Sequence, residues 1–102
     1  MTVKIVANGK NAPPGKLADA ELLFTDGPLA GLKLVGFAVW ERKTGTGRNV
    51  TFPARTYASG NERRSYALLR AETDATAQNR LREIILQAYA EFEAEAALAS
   101  AG

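Results

Sequence analysis

Apolar and polar positions divide the chain into several strand-length runs followed by one helix-length run. Residues 32–40, Leu32-Lys33-Leu34-Val35-Gly36-Phe37-Ala38-Val39-Trp40, are the most continuous apolar stretch. Polar, glycine-containing residues follow, then Val50-Thr51-Phe52-Pro53-Ala54-Arg55-Thr56-Tyr57. A short turn around Ser59-Gly60-Asn61 leads into Arg63-Arg64-Ser65-Tyr66-Ala67-Leu68-Leu69-Arg70-Ala71. These runs read as three successive antiparallel strands, a meander at the centre of a small sheet. Run 32–40 is apolar on both faces, with Leu34, Ala38 and Trp40 on one and Val35, Phe37 and Val39 on the other. A strand covered on both sides is expected at a sheet centre. A helix can supply one cover; in so short a chain the other is expected from a second subunit. Gly36 suits a bulge or the close approach of another backbone. Pro53 cannot donate a ladder hydrogen bond and so marks an edge, a strand end or a bulge.

Upstream, the β-branched stretch 2–7 reads as a first strand. Residues 8–16, rich in Asn, Gly and Pro, form a loop. In residues 17–24 the intrinsic propensities of Ala, Leu and Glu favour helix. The alternation of Ala18, Ala20, Leu22 and Phe24 with Asp19, Glu21 and Leu23 favours strand, as does the turn Thr25-Asp26-Gly27-Pro28 beyond it, and strand is the expectation. Downstream, Leu81, Ile84, Ile85, Ala88, Tyr89 and Phe92 recur at helical spacing and form one apolar stripe of a helix over residues 75–97. Thr73 and Asp74 are its candidate N-caps. Such a helix is about 35 Å long, as wide as a whole globule of this size. The alanine-rich end, residues 94–101, is expected to fray. Ile85 is expected to be fully buried between helix and sheet. The predicted class is α+β: an antiparallel meander of four to five strands with one long C-terminal helix, in a single domain spanning 1–102. Within it, 1–16 are strand and loop, 17–71 the antiparallel sheet and 75–97 the helix.

Composition narrows the chemistry. With 102 residues, 46% hydrophobic and 24% charged, the chain is an ordinary globular sequence. No apolar run approaches the roughly 20 residues of a membrane span, and no apolar leader opens the chain. Cysteine is absent, so there is no disulfide framework and no thiolate nucleophile, which suits a cytoplasmic protein. Histidine is absent too, which removes Cys/His zinc sites and Ser-His or Cys-His catalysis. No carboxylate pair falls in a predicted pocket, so no enzyme, metal or cofactor is expected.

Charge is unevenly spread. Residues 42–70 hold Arg42, Lys43, Arg48, Arg55, Arg63, Arg64 and Arg70 against the single acid Glu62, a net +6. From Glu72 onward the balance is −4. Such asymmetry can mark a polyanion-binding face. In the hairpin 55–70, a Gly60-Asn61 turn sets Tyr57 opposite Arg64 and Arg55 opposite Tyr66, whereas a Ser59-Gly60 turn sets Arg55 opposite Arg64. Either register gathers Arg55, Tyr57, Arg64, Tyr66 and Arg70 on one face. Arginine contacts phosphate and tyrosine stacks on bases; the competing interpretation is a solvated sheet face. Arg63 and the basic loop residues Arg42, Lys43 and Arg48 complete the candidate nucleic-acid contacts, although that loop also fits a plain hairpin connection. The Gly-x-Gly in it lacks a following helix and is no dinucleotide fingerprint. Trp40 is expected in the core. Tyr89 and Phe92 are expected in the core or a dimer interface, with Glu91, Glu93 and Glu95 on a solvated face.

Over residues 17–89 the order of these pieces resembles the stage V sporulation protein G family. The likeness rests on Gly36-Phe37-Ala38-Val39-Trp40, the glycine-containing loop, Val50-Thr51-Phe52-Pro53-Ala54-Arg55, the glycine-bearing turn before a tyrosine-bearing strand, and Arg80-Leu81-Arg82-Glu83-Ile84-Ile85-Leu86-Gln87-Ala88-Tyr89. The chain departs from the family pattern at Thr56, at Ser59, at the strand end Leu69-Arg70-Ala71 and in the Pro13-Pro14 loop. The resemblance implies a small homodimeric, DNA- or RNA-binding regulator with a β-sheet and a C-terminal helix. The competing expectation is a protein–protein assembly module that self-associates through sheet and helix.

Overall fold

A computed structural model describes every residue except Thr44, Thr46 and Gly102. Among the described residues, six strands precede one helix: β1 (Thr2–Ala7), β2 (Lys16–Leu23), β3 (Lys33–Glu41), β4 (Arg48–Thr51), β5 (Ala54–Ser59), β6 (Glu62–Ala67) and α1 (Thr76–Ala101). The first four form an antiparallel meander in the order β1-β2-β3-β4, and β5 and β6 form a separate two-stranded sheet. This is an α+β fold. The alternation in 17–24 does produce a strand, with Ala18, Ala20 and Leu22 buried along one face. Tertiary packing overrides the helical preference of its residues.

Two expectations about the sheet are corrected. Run 50–57 is not one strand: it breaks at Phe52-Pro53, leaving Val50 in β4 and Tyr57 in β5. Pro53 is buried at the break and its carbonyl accepts a 2.8 Å hydrogen bond from the Leu68 amide. Gly36 explains the site of the break. It has φ +109°, and a Cβ there would stand 3.1 Å from Pro53 Cβ, so glycine admits the proline this close without strain. The faces of β3 are corrected as well. Ala20 pairs with Phe37 but Leu22 pairs with Leu34, so β3 carries one extra residue, a bulge at Val35-Gly36. The bulge reverses the alternation: Leu34 joins Phe37 and Val39 on the core side, and Val35 is left 51% exposed.

The core lies between one face of the four-stranded sheet and α1. Ala18, Ala20, Leu22, Phe37, Val39 and Val50 meet Ile85 and Tyr89 there, with Val3, Ile5, Leu81, Leu86 and Phe92 at the margin. Phe52 meets Phe37 edge-on at 5.2 Å, and the Arg82 guanidinium lies 5.4 Å over its ring. Ile85 is 0% exposed, as its place in the stripe predicts, whereas Ile84 is 41% exposed on the stripe's edge. Asp74 caps α1: one carboxylate oxygen accepts the Thr76 amide at 2.8 Å. Hydrogen bonds from the Thr76 side chain and then its backbone hold the Asp74 carboxyl below the usual value of 3.8. The helix runs on to Ala101, beyond the expected 97, since alanine is the best helix former and no Gly or Pro intervenes.

At 26 residues, α1 is about 39 Å long, and residues 93–100 are all exposed. The radius of gyration, 15.4 Å, exceeds the roughly 13 Å of a compact chain of this length. The extents are 53 × 37 × 26 Å.

Candidate nucleic-acid interface

The β5–β6 hairpin owes its form to alternation and to one glycine. Its pairs include Arg55 with Tyr66 and Tyr57 with Arg64, closing at Ser59 with Glu62 around Gly60-Asn61. Of the two registers open from sequence, this is the one set by the two-residue turn. Gly60 has φ +63° and no non-glycine residue among those described has positive φ. Positive φ at the first turn residue alone is the type II′ pattern, whose twist matches the strands.

Arg55, Tyr57, Arg64 and Tyr66 therefore share one face. The Tyr57 and Tyr66 rings lie 5.8 Å apart, tilted by 55°. Arg70, just past β6, places its guanidinium 5.6 Å over the Tyr66 ring and donates from Nε to the Ala67 carbonyl at 2.7 Å. Arg64 donates to Glu62 at 3.1 Å. Arg55 forms no ion pair among the described residues. Arg63 falls on the opposite face by register and lines a depression with Thr56, Tyr57 and Ala58. All of β5, and β6 up to Tyr66, is exposed.

The β3–β4 loop holds the other candidates, with Thr44 and Thr46 outside the described residues. Arg42 and Lys43 are exposed beside an open depression of about 490 Å³, shared with Trp40, Glu41 and Asn49. Arg48 is committed elsewhere. Its guanidinium pairs with Glu93 of α1 at 2.7 Å and lies 5.1 Å over the Tyr89 ring. It ties the edge strand β4 to the helix and is only partly available to a ligand. Burial, and secondarily the Glu93 charge, push the Tyr89 hydroxyl above its usual value of 10; Arg48 opposes that shift.

Trp40 corrects a core expectation. It is half-buried but lies on the sheet face opposite the helix, outside the core cluster. Its indole N–H donates to Thr51 Oγ1 at 2.8 Å. The Arg48–Glu93 pair spans 45 positions, and no local pattern in the sequence announces it. Among the described residues, no cluster of three or more carboxylates is placed to hold a metal ion, and no helix is long and apolar enough to cross a membrane. No family model matches the chain, and neither a curated protein nor a solved structure matches it.

Proposed function

We propose that this chain is a non-catalytic nucleic-acid-binding regulator of the cytoplasm that works as a homodimer. It would contact DNA or RNA through the outer face of the β5–β6 hairpin. The observation that carries the proposal is the single exposed face bearing Arg55, Tyr57, Arg64 and Tyr66, with Arg70 at its margin. Guanidinium groups supply phosphate contacts, and exposed tyrosine rings supply stacking surface. The likeness of Val50-Thr51-Phe52-Pro53-Ala54-Arg55 to the stage V sporulation protein G family supports the same function. Dimerisation is supported by Leu98, 75% exposed on the overhanging helix, and by the hairpin itself. An isolated two-stranded hairpin is marginally stable in water, so a second copy packed beside it would add what one subunit lacks.

The test is a fluorescence-anisotropy titration with single-stranded and duplex DNA and RNA at two salt concentrations. Affinity is expected to fall by roughly 0.7 to 0.9 log units per phosphate contact for each log unit of salt. Arg55→Ala should lower that slope by about one contact. Arg64→Ala should lower it less, because Glu62 already holds that guanidinium. Tyr66→Leu should weaken single-strand binding at nearly constant slope, since stacking releases no counterions. Binding weaker than about 10⁻⁴ M near physiological salt would leave the assembly module as the function. Light scattering at tens of micromolar checks the dimer: a mass of 10.9 kDa would rule it out under those conditions.

A further inference from the structure

The geometry points to the depression beside Trp40 as a base-stacking subsite that makes this chain a binder of single-stranded rather than duplex nucleic acid. The inference rests on the nucleic-acid function proposed above but uses a different surface. Trp40 pairs with Asn49 across β3–β4, so both side chains stand on the sheet face that α1 leaves uncovered. The 2.8 Å bond from its indole nitrogen to Thr51 fixes the ring's orientation before any ligand arrives. The depression of about 490 Å³ that it lines falls within the usual range for small-molecule sites.

The lining supplies what a nucleotide needs. Trp40 offers an aromatic face for the base. The Asn49 amide offers hydrogen-bonding groups for a base edge. Arg42 and Lys43 offer positive charge for the adjoining phosphates. On the hairpin, Tyr57 and Tyr66 partly occupy one another and Arg70 lies over Tyr66. Trp40, by contrast, takes part in no aromatic or cation–π pair among the described residues. Bases in a duplex are already stacked and cannot present a face to an indole, whereas unpaired bases can. The subsite therefore discriminates by strandedness, and with only modest preference among bases.

Trp40 is the sole tryptophan, so its emission reports this subsite alone. The experiment titrates the full-length protein with a fluorescein-labelled oligothymidylate and with a labelled duplex, following anisotropy, and repeats both titrations with unlabelled strands, following tryptophan emission. Quenching that saturates in step with the anisotropy for the single strand, but not for the duplex, is the expected result. Trp40→Leu should then weaken single-strand binding roughly 5- to 150-fold, the range for loss of one stacked base. Trp40→Phe, which keeps an aromatic face, should retain most of the affinity. Arg42→Gln with Lys43→Gln should lower the salt slope by about two contacts. Anisotropy showing binding with unchanged emission would overturn the subsite and leave the hairpin function standing, as would equal quenching by single strand and duplex. No anisotropy change with either probe would overturn both proposals. The quenching measurement uses wild-type protein, so a variant that fails to fold does not shield the inference.

Discussion

Replacing Ile85 with alanine is expected to cost about 3–4 kcal/mol of folding free energy. Ile85 is 0% exposed and sits where α1 crosses the sheet, among Phe37, Val39, Val50 and Tyr89. The substitution removes three buried carbons, about 2.4 kcal/mol at roughly 0.8 kcal/mol each. The residual cavity adds about another 1 kcal/mol, because the floor is a hydrogen-bonded sheet that cannot collapse upward. The helix is held in place by Asp74 at its start and by the Arg48–Glu93 bridge further along, so it cannot settle freely into the gap. Against a total of about 5–15 kcal/mol for a chain of this length, that is a substantial fraction. The assay is urea denaturation followed by far-ultraviolet circular dichroism, with the m-value checked for constancy. Ile84→Ala is the internal control: the neighbouring side chain is 41% exposed and lines the open groove beside β1, and its loss should cost about 1.5 kcal/mol or less. A loss below about 1 kcal/mol at Ile85, or a larger loss at Ile84 than at Ile85, would mean that the helix packs by another face.

Gly36→Ala should destabilise more than Gly31→Ala, since both positions have positive φ but only Gly36 faces Pro53; the backbone strain alone is of order 1–3 kcal/mol, and equal losses in denaturant titration would remove the Pro53 contact from the explanation. Asp74, with its folded pKa lowered, contributes stability above the unfolded value near 3.8 that is lost as pH falls through the lower folded value. The melting temperatures of wild type and Asp74→Ala should therefore converge as the solution is acidified below that value, and a gap that stays constant would show that the charge is not the cap. Tyr89, with its pKa raised, contributes stability present below pH 10 and lost as pH rises through the folded value. Ultraviolet titration of tyrosinate should show a late component that Tyr89→Phe removes, and its persistence in that variant would refute the assignment.

Much of this architecture is legible locally. Period-2 alternation locates β2, the turn around Gly60 locates the hairpin while leaving two registers open, and the helical spacing of Leu81, Ile85, Ala88 and Tyr89 places α1 with Ile85 at its centre. What escapes local inspection depends on contacts between distant residues. Pro53 announces a strand end, yet the division into two sheets follows from its seat against Gly36. Alternation in β3 predicts Leu34 and Phe37 on opposite faces, and one bulged residue puts them on the same side. The basic residues 42–70 look alike in sequence, whereas in three dimensions Arg48 belongs to the helix, Arg64 to Glu62 and Arg70 to Tyr66, leaving Arg42, Lys43, Arg55 and Arg63 without a carboxylate partner among the described residues. Trp40 looks like a core residue because its neighbours in sequence are apolar; the parity of β3 after the bulge turns it outward.

The separateness of the β5–β6 hairpin gives the molecule two levels of stability. Outside its own ladder the hairpin shares little packing with the other elements, so its opening can occur without breaking the Ile85 core. Proteins commonly open in such sub-global units at a free energy below that of complete unfolding. Amide protons of Tyr57 and Arg64, a hydrogen-bonded pair of the ladder, should exchange with solvent well before those of Ala20 or Val39, and trypsin should cut at Arg55, Arg63 and Arg64 while the four-stranded sheet and α1 stay intact. A polyanion bound across both strands would be linked to closing of this unit, so occupancy should be visible as slowed exchange and protection from cleavage at residues 54–67.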